Sequence, residues 1–320
     1  MQDAEYDFYT DLAGLPKGEW LTELAKVAEE QGFFQPLGRK HFAAHIRRDD
    51  TLLVTFETVQ GMRALAKSAE PFGWSMVRNQ GWSHLCVASD GDTWFRDRHV
   101  IGLFDRMIDD GFFDDFEQVI FYGAGPCGYA AAAFSVAAPG ARVMVVQPQA
   151  TLDPRVTEWD DRFREMRRTD FTSRYGYAPD MLDACDQAFV LYDPAETLDA
   201  MHAALFTRAA VKQFRLRNMG GAIQGDLLAM DDILPNLLTM VADGTLDDLN
   251  FAQAYRARRT HPWYLRRVLA ALDRQDRTAL THMLIKNVTS RMEEPRFQRR
   301  LAKLEAAREA AAAQNVAKEG

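Results

Sequence analysis

Six short apolar runs, rich in β-branched and aromatic residues, recur between residues 50 and 220 of the chain. Most are nearly continuous, which is typical of strands in a parallel sheet whose two faces are both covered by helices. Helical patterns separate them along the chain. The runs that predict strands are 52–56, 84–88, 119–122, 143–146, 188–192 and 211–216. This alternation predicts an open, doubly wound and mostly parallel α/β sheet.

The regions on either side of these runs have a different pattern. Residues 19–31 carry apolar side chains at helical spacing, and the strand pattern ends after about residue 226. The helical patterns that follow lie at 227–242, 249–258, 263–272, 277–291 and 297–313. The predicted parts are an N-terminal helical segment at 1–50, an α/β core at 51–226 and a helical C-terminal segment at 227–320.

Composition and charge narrow the class of protein. Apolar residues make up 47% of the chain and charged residues 26%, which is ordinary globular usage and excludes a disordered chain. The formal charge of −8 gives no electrostatic basis for nucleic-acid binding. Three widely spaced cysteines suit a reducing compartment. No apolar run reaches the ~20 residues that span a bilayer. We therefore expect a cytoplasmic protein without a membrane span or a nucleic-acid partner.

A stretch of small residues joins the third predicted strand to an alanine-rich helix. It consists of Gly123, Ala124, Gly125, Pro126, Cys127 and Gly128. Small residues allow a helix to start directly against the strand before it, with backbone N–H groups facing whatever lies above the sheet. Two classes of protein use this construction, dinucleotide-binding proteins and α/β-hydrolases.

The dinucleotide interpretation rests on Gly123, Gly125 and Gly128, which satisfy the G-x-G-x-x-G fingerprint for the pyrophosphate of FAD or NAD(P). However, the next strand ends in Gln147 and Pro148, where the fingerprint requires an acidic residue for the ribose. At least two predicted strands also precede the turn, whereas the fingerprint commonly opens the first βαβ unit. An FAD- or NAD(P)-binding oxidoreductase is therefore an alternative.

The same stretch resembles the nucleophile elbow, G-x-S-x-G, of α/β-hydrolases. The match is to a Gly-x-Ser-x-Gly-Gly-Tyr-Ala-Ala elbow found in bacterial members linked to surface glycans and accessory secretion, and it covers roughly residues 50–240. The resemblance implies an α/β-hydrolase-like fold that needs no cofactor. It also implies a cleft that can bind a small acyl, sugar or phosphate group or a protein partner, and a link to surface-glycan or secretion biology.

The sequence departs from the family at the residues that carry acyl transfer. Gly125 stands where the family has its serine, and Cys127 replaces the first glycine of the pair. Asp193 is a candidate for the triad acid, but no histidine lies between residues 202 and 261. Without the nucleophile and the histidine, at most the oxyanion hole contributes to catalysis. The sequence favours a degenerate, catalytically impaired hydrolase-like protein that binds a small ligand or a partner.

Other side chains are weaker candidates for chemistry. Cys127, at a helix N-terminus, would be the nucleophile of an acyl transferase or thioesterase, although a buried packing cysteine fits that position better. Asp193 is equally explained as a turn residue. His41 and His45 have metal-ligand spacing but lack a third ligand, so an exposed amphipathic segment and no metal site are predicted.

Two further expectations concern a residue pair and a third class of enzyme. Asp199 and His202, three apart on a helical pattern, are predicted to form a surface pair. A sulfonucleotide (phosphoadenosine phosphosulfate) reductase needs a cysteine motif toward the C-terminus, and the last cysteine here is Cys185, so this class is the least favoured. The sequence identifies neither ligand nor partner, and it is compatible with a homo-oligomer.

Overall fold

The structure is a computed structural model that describes residues 11–65, 67–230 and 233–319, without the side chains of 308, 309 and 311–319. The chain divides into two compact units, Met1–Ala254 and Tyr255–Gly320. The predicted C-terminal segment begins at residue 227, inside the first of these units. The three-part domain organisation stays a prediction.

In the described residues, the first unit is built on one eight-stranded sheet. Its strands are β1 (Gly32–Leu37), β2 (His41–Ile46), β3 (Thr51–Thr58), β4 (Ser83–Ser89), β5 (Gln118–Ala124), β6 (Arg142–Val146), β7 (Gln187–Tyr192) and β8 (Val211–Arg215). Their order is β1-β2-β4-β3-β5-β6-β7-β8. β2 pairs antiparallel with β1 and β4, and all other pairs are parallel. The predicted strands and the mostly parallel α/β sheet are confirmed.

Helices cover both faces of this sheet. They are α1 (Lys17–Gln31), α2 (Val59–Leu65), α3 (Phe72–Gln80), α4 (Arg98–Asp109), α5 (Pro126–Phe134), α6 (Pro154–Thr157), α7 (Ala178–Met181), α8 (Thr197–Ala203), α9 (Ile223–Ala229), α10 (Ile233–Ala242) and α11 (Asp248–Ala254). One core packs α4 and α5 against the sheet around Phe56, Phe104 and Phe134. Another packs α1 and α3 around Trp20 and Trp74. Each fully buried phenylalanine stabilises the fold by roughly 2–3 kcal/mol.

The described part of the N-terminal segment, residues 11–50, is only partly helical, which corrects the helical pattern predicted there. Helix α1 is present, but β1 and β2 follow it as an antiparallel pair. The sequence of β2, His-Phe-Ala-Ala-His-Ile, has one β-branched residue and no alternation, so its strand propensity is weak. All six residues of β2 are buried because the strand lies between β1 and β4. Packing within the sheet, rather than local sequence, makes this segment a strand.

The second unit is helical. A 3₁₀ turn at Tyr255–Thr260 precedes α12 (Pro262–Arg274), α13 (Thr278–Thr289) and α14 (Pro295–Glu319). Its small core consists of Leu265, Leu269, Ile285, Val288 and Phe297. Within the parts of the chain that the structure describes, no helix combines the length and the apolar character needed to cross a bilayer.

Candidate functional site

The strand order places a crevice above the centre of the sheet. The chain leaves β3 for β4 on one side and then crosses to β5 on the other side of β3. In open α/β sheets, ligands bind outside the carboxyl ends of the strands at such a switch point. Glu57 and Thr58 end β3 there, and Ala124 ends β5.

Gly125 forms the sharp turn from β5 into α5. Its φ of 56° and ψ of −124° lie in a region that residues with side chains adopt only with strain. Its N–H donates to the Val146 carbonyl at 2.8 Å, and its own carbonyl accepts the Tyr129 N–H at 3.0 Å. A Cβ added to Gly125 would meet open space, whereas one added to Gly123 would overlap the Cys127 carbonyl. The position where α/β-hydrolases expose their nucleophile is therefore open and has no side chain.

The residue after the turn, Pro126, is the first residue of α5. In α/β-hydrolases, the backbone N–H at this position is one of the two donors of the oxyanion hole. Proline has no N–H, so the chain does not have this donor. Its fixed φ suits the first position of a helix. The sequence analysis places Pro126 in the elbow, but its expectation of outward N–H groups overlooks that a proline contributes none.

Cys127 does not have the surroundings of a reactive thiol. The residue is 7% exposed and lies in the first turn of α5. Burial raises the pKa of its thiol well above the usual range, and the carboxyl groups of Glu57 and Asp92 raise it further. A thiolate nucleophile needs a lowered pKa and access to solvent. The geometry therefore favours a packing role for this cysteine.

Asp193 follows β7, where a triad acid would stand, but the backbone occupies its carboxylate. Oδ1 accepts the Ala195 N–H at 2.9 Å, and Oδ2 accepts the Gly220 N–H at 2.8 Å. The residue is 1% exposed. The segment that follows β8, residues 216–221, contains no histidine. Asp193 thus connects the end of β7 to the loop after β8.

Asp199 and His202 are buried and do not form the predicted surface pair. His202 is fully buried, and its Nδ1 accepts the Ala150 N–H at 3.2 Å. Its Nε2 must then carry the proton, which it donates to Asp160 at 2.9 Å. Burial lowers the pKa of His202, although Asp160 opposes that effect. Both ring nitrogens are occupied, so His202 is not placed to act as a general base.

Arg162 joins two buried carboxylates beside the elbow. Its guanidinium lies 2.8 Å from Asp160 and 2.6 Å from Asp199. Gln147 donates its amide to Asp199 at 2.6 Å and accepts the Ile223 N–H at 3.1 Å. These pairs compensate the arginine charge within the fold. Because Gln147 stands where the dinucleotide fingerprint needs an acid, this geometry does not favour an FAD or NAD(P) site at the glycine turn.

Glu57 is a residue that sequence reasoning missed. It is 8% exposed at the end of β3, where it accepts the Thr55 hydroxyl at 2.6 Å and the Phe72 N–H at 3.0 Å. His84 Nε2 lies 2.8 Å from the same hydroxyl, and donates to it because the hydroxyl proton goes to Glu57. Burial raises the pKa of Glu57 to about 7 and lowers that of His84 to about 3. The signal in the sequence was an acidic residue within an otherwise uncharged strand.

Two adjoining cavities lie above the elbow. The Glu57 cavity, about 290 Å³, is lined by Phe56, Glu57, Thr58, Gly61, Met62, Leu65, Glu70, Phe72, Asp92, Ala124, Pro126, Cys127, Gln224 and Leu228. The Arg162 cavity, about 380 Å³, includes Gly125, Gln147, Arg162 and Asp199 in its lining. The cavities share Leu65, Ala124, Pro126 and Gln224. Together they form the elbow cleft, into which the open position at Gly125 faces.

His41 and His45 lie on strand β2 rather than on an exposed helix, which corrects the prediction of an exposed amphipathic segment. Both are 5% exposed. His41 Nε2 lies 2.8 Å from the Thr93 hydroxyl, and the His45 ring packs 5.3 Å from that of Phe112. Burial lowers the pKa of His45 to about 4. Among the described residues, no group of three His, Cys, Asp or Glu side chains could hold a metal ion.

Comparisons with solved structures find proteins that align with this chain at TM-scores below 0.5. No protein-family model and no curated protein match the chain. The esterase of Pyrobaculum calidifontis is 11% identical with a TM-score of 0.44, over 76% of this chain and 97% of the esterase. The capsule O-acetyltransferase of Neisseria meningitidis serogroup A is 11% identical with a TM-score of 0.39, over 57% and 86% of the two chains. The Glycosylation Associate Protein complex from Streptococcus agalactiae is 12% identical with a TM-score of 0.41, over 64% and 45%.

The architecture of the first unit agrees with the resemblance found in the sequence. Its sheet is parallel except at β2, and a sharp glycine turn joins the central strand β5 to the buried helix α5. A strand-to-helix elbow at the top of such a sheet is the construction of α/β-hydrolases. The chain therefore has an α/β-hydrolase-like fold.

Proposed function

We propose that the protein is a non-hydrolytic, degenerate α/β-hydrolase-like protein that binds a small molecule in the elbow cleft. The observation that carries the proposal is the elbow itself. Its turn keeps the backbone conformation that exposes a nucleophile, yet Gly125 has no side chain and Pro126 has no N–H to donate. The elbow therefore keeps the shape of a hydrolase site but lacks the nucleophile and one oxyanion-hole donor.

The other groups around the elbow support the same conclusion. Acyl transfer requires a histidine that takes the proton of the nucleophile and an acid that orients that histidine. The carboxylate of Asp193 accepts two backbone N–H groups. His202 is fully buried and bonded at both nitrogens. Neither residue is free to take part in a triad.

The cleft supports a binding role. Its two cavities, of about 290 and 380 Å³, adjoin at the switch point of the sheet. Small-molecule sites have this size and position, and they combine apolar walls with a few placed polar groups. Phe56 and Phe72 provide apolar wall, and Glu57 and Gln224 provide polar groups.

The test is the turnover of p-nitrophenyl acetate and p-nitrophenyl butyrate by the purified protein, with Cys127→Ala as the matched variant. We expect no release of p-nitrophenolate above that of buffer from either protein, and no acyl adduct in the intact mass. Turnover that is lost in Cys127→Ala would replace the proposal with a thiol acyl transferase or thioesterase. Turnover that survives the substitution would also overturn it. A stoichiometric flavin or nicotinamide released on denaturation would favour the oxidoreductase instead.

The biological setting stays a prediction. A link to surface-glycan or secretion biology is implied by the sequence resemblance alone, and the same holds for a protein partner. The cytoplasmic location and a homo-oligomeric state are likewise expectations from the sequence.

A further inference from the structure

The Glu57 cavity carries charge of one sign. Three carboxylates, Glu57, Glu70 and Asp92, are among the described residues that line it, and Lys, Arg and His are not. Glu70 is compensated, because the Arg78 guanidinium donates to it at 3.0 Å. Among the described residues, the carboxyl groups of Glu57 and Asp92 therefore face the cavity without a cation in its lining.

Hydrogen bonds from the protein fix the position of the Glu57 carboxyl group at the cavity wall. The Thr55 hydroxyl, which itself accepts from His84, and the Phe72 N–H hold the carboxylate at the cavity wall. These donors are neutral, because burial keeps His84 uncharged near neutral pH. A buried carboxylate is rarely kept without a cationic partner. Its placement beside a cavity points to a partner that the protein itself does not supply.

The walls of the cavity suit an organic cation. The partly exposed ring of Phe72 lines it next to Glu57, and aromatic faces attract ammonium groups. Met62, Leu65 and Leu228 provide apolar surface for a hydrocarbon body. A phosphate or carboxylate ligand would meet like charge at Glu57 and Asp92. Of the acyl, sugar and phosphate ligands expected from the sequence, the anionic ones are therefore disfavoured in this cavity.

We propose that the Glu57 cavity binds a small ligand with a protonated amine on an apolar body, the ammonium group pairing with the Glu57 carboxylate. This inference rests on the proposed function, since it assigns a ligand class to the same cleft. The ammonium supplies the positive charge that the lining lacks. Its hydrocarbon part covers the apolar wall.

The test compares three probes of equal chain length, hexylammonium, hexanol and hexanoate, by isothermal titration calorimetry at about pH 8, where Glu57 is mostly ionised. We expect hexylammonium to bind at least roughly tenfold more tightly than the other two, because it alone brings a positive charge and an N–H donor to the Glu57 carboxylate. Glu57→Gln should weaken hexylammonium by roughly tenfold or more. Asp92→Asn, at an exposed residue, provides a second variant that should also weaken it.

The control variant is Glu117→Gln, which also removes one negative charge. Glu117 is exposed and lies just before β5, at the end of that strand opposite to the elbow. Its affinity for hexylammonium should equal that of the wild type. Preferred binding of hexanol or hexanoate would overturn the ligand class and leave the binding cleft intact. Absence of binding by all three probes would overturn both the ligand class and the proposed binding role. Ester turnover, by contrast, would overturn the non-hydrolytic role alone.

Discussion

Glu57 should make the stability of the protein depend on pH in an unusual direction. Its carboxyl is buried at the end of β3, and burial raises its pKa from 4.5 to about 7. Between these values the folded state holds a proton that the unfolded chain has released. The stability that this group contributes is therefore complete below the unfolded pKa and is lost as the pH rises through the folded pKa.

The magnitude follows from the size of the shift. Each pH unit in this window corresponds to ~1.4 kcal/mol, so Glu57 removes roughly 2–3 kcal/mol of unfolding free energy between about pH 5 and pH 8. Glu57→Gln keeps the shape of the protonated acid and can still accept from Thr55 and Phe72. The variant should match the wild type near pH 5 and exceed its stability by that amount near pH 8.

Urea unfolding of both proteins at several pH values provides the assay, and the difference between the two curves is the quantity of interest. Burial lowers the pKa of His41, His45 and His84, which makes stability rise with pH between the lowered values and the usual one. These contributions are common to both proteins and cancel in the difference. A difference in unfolding free energy that stays constant with pH, or that favours the wild type at alkaline pH, would refute the claim that Glu57 is buried without a compensating cation.

Three substitutions test other contacts by urea unfolding. Gly123→Ala would place a Cβ against the Cys127 carbonyl, and we expect a loss of more than roughly 2 kcal/mol; a neutral effect would mean that the elbow is looser than described. Gly73→Ala would drive a Cβ into the His84 ring, and a loss of roughly 1–3 kcal/mol should accompany a changed imidazole signal in NMR spectra. Arg162→Ala would leave two buried carboxylates without their cationic partner, although each keeps a neutral donor, and should lose roughly 3 kcal/mol; an unchanged stability would show that solvent replaces the arginine.

The parts of the fold that can be predicted from the sequence are those determined by a local pattern of residues. Strands β3 to β8 are short apolar runs that alternate with helical patterns, and the glycine turn at Gly125 is recognisable because all of its residues are contiguous. Strand β2 escapes prediction because its propensity is weak and its neighbours in the sheet make it a strand. A local pattern is therefore sufficient for the core of the fold and for the position of the elbow.

The polar groups of the cleft depend on contacts between distant parts of the chain. Thr55 and His84 are 29 residues apart, and Asp160 and His202 are 42 apart. Nothing in one sequence without a structure indicates that such residues meet. The same reason explains why Asp199 and His202 resembled a surface pair, since the residues that bury them come from another loop.

The most direct test of a non-catalytic elbow is to restore the groups that the turn lacks. Gly125→Ser adds a hydroxyl where a Cβ has open space, and Pro126→Ala returns the backbone N–H. We expect the double variant to release no p-nitrophenolate from p-nitrophenyl butyrate and to carry no acyl group in its intact mass, because no histidine lies between residues 202 and 261, where the triad needs one. Acylation of the introduced serine followed by turnover would contradict this, since it would show that a general base still works in the cleft.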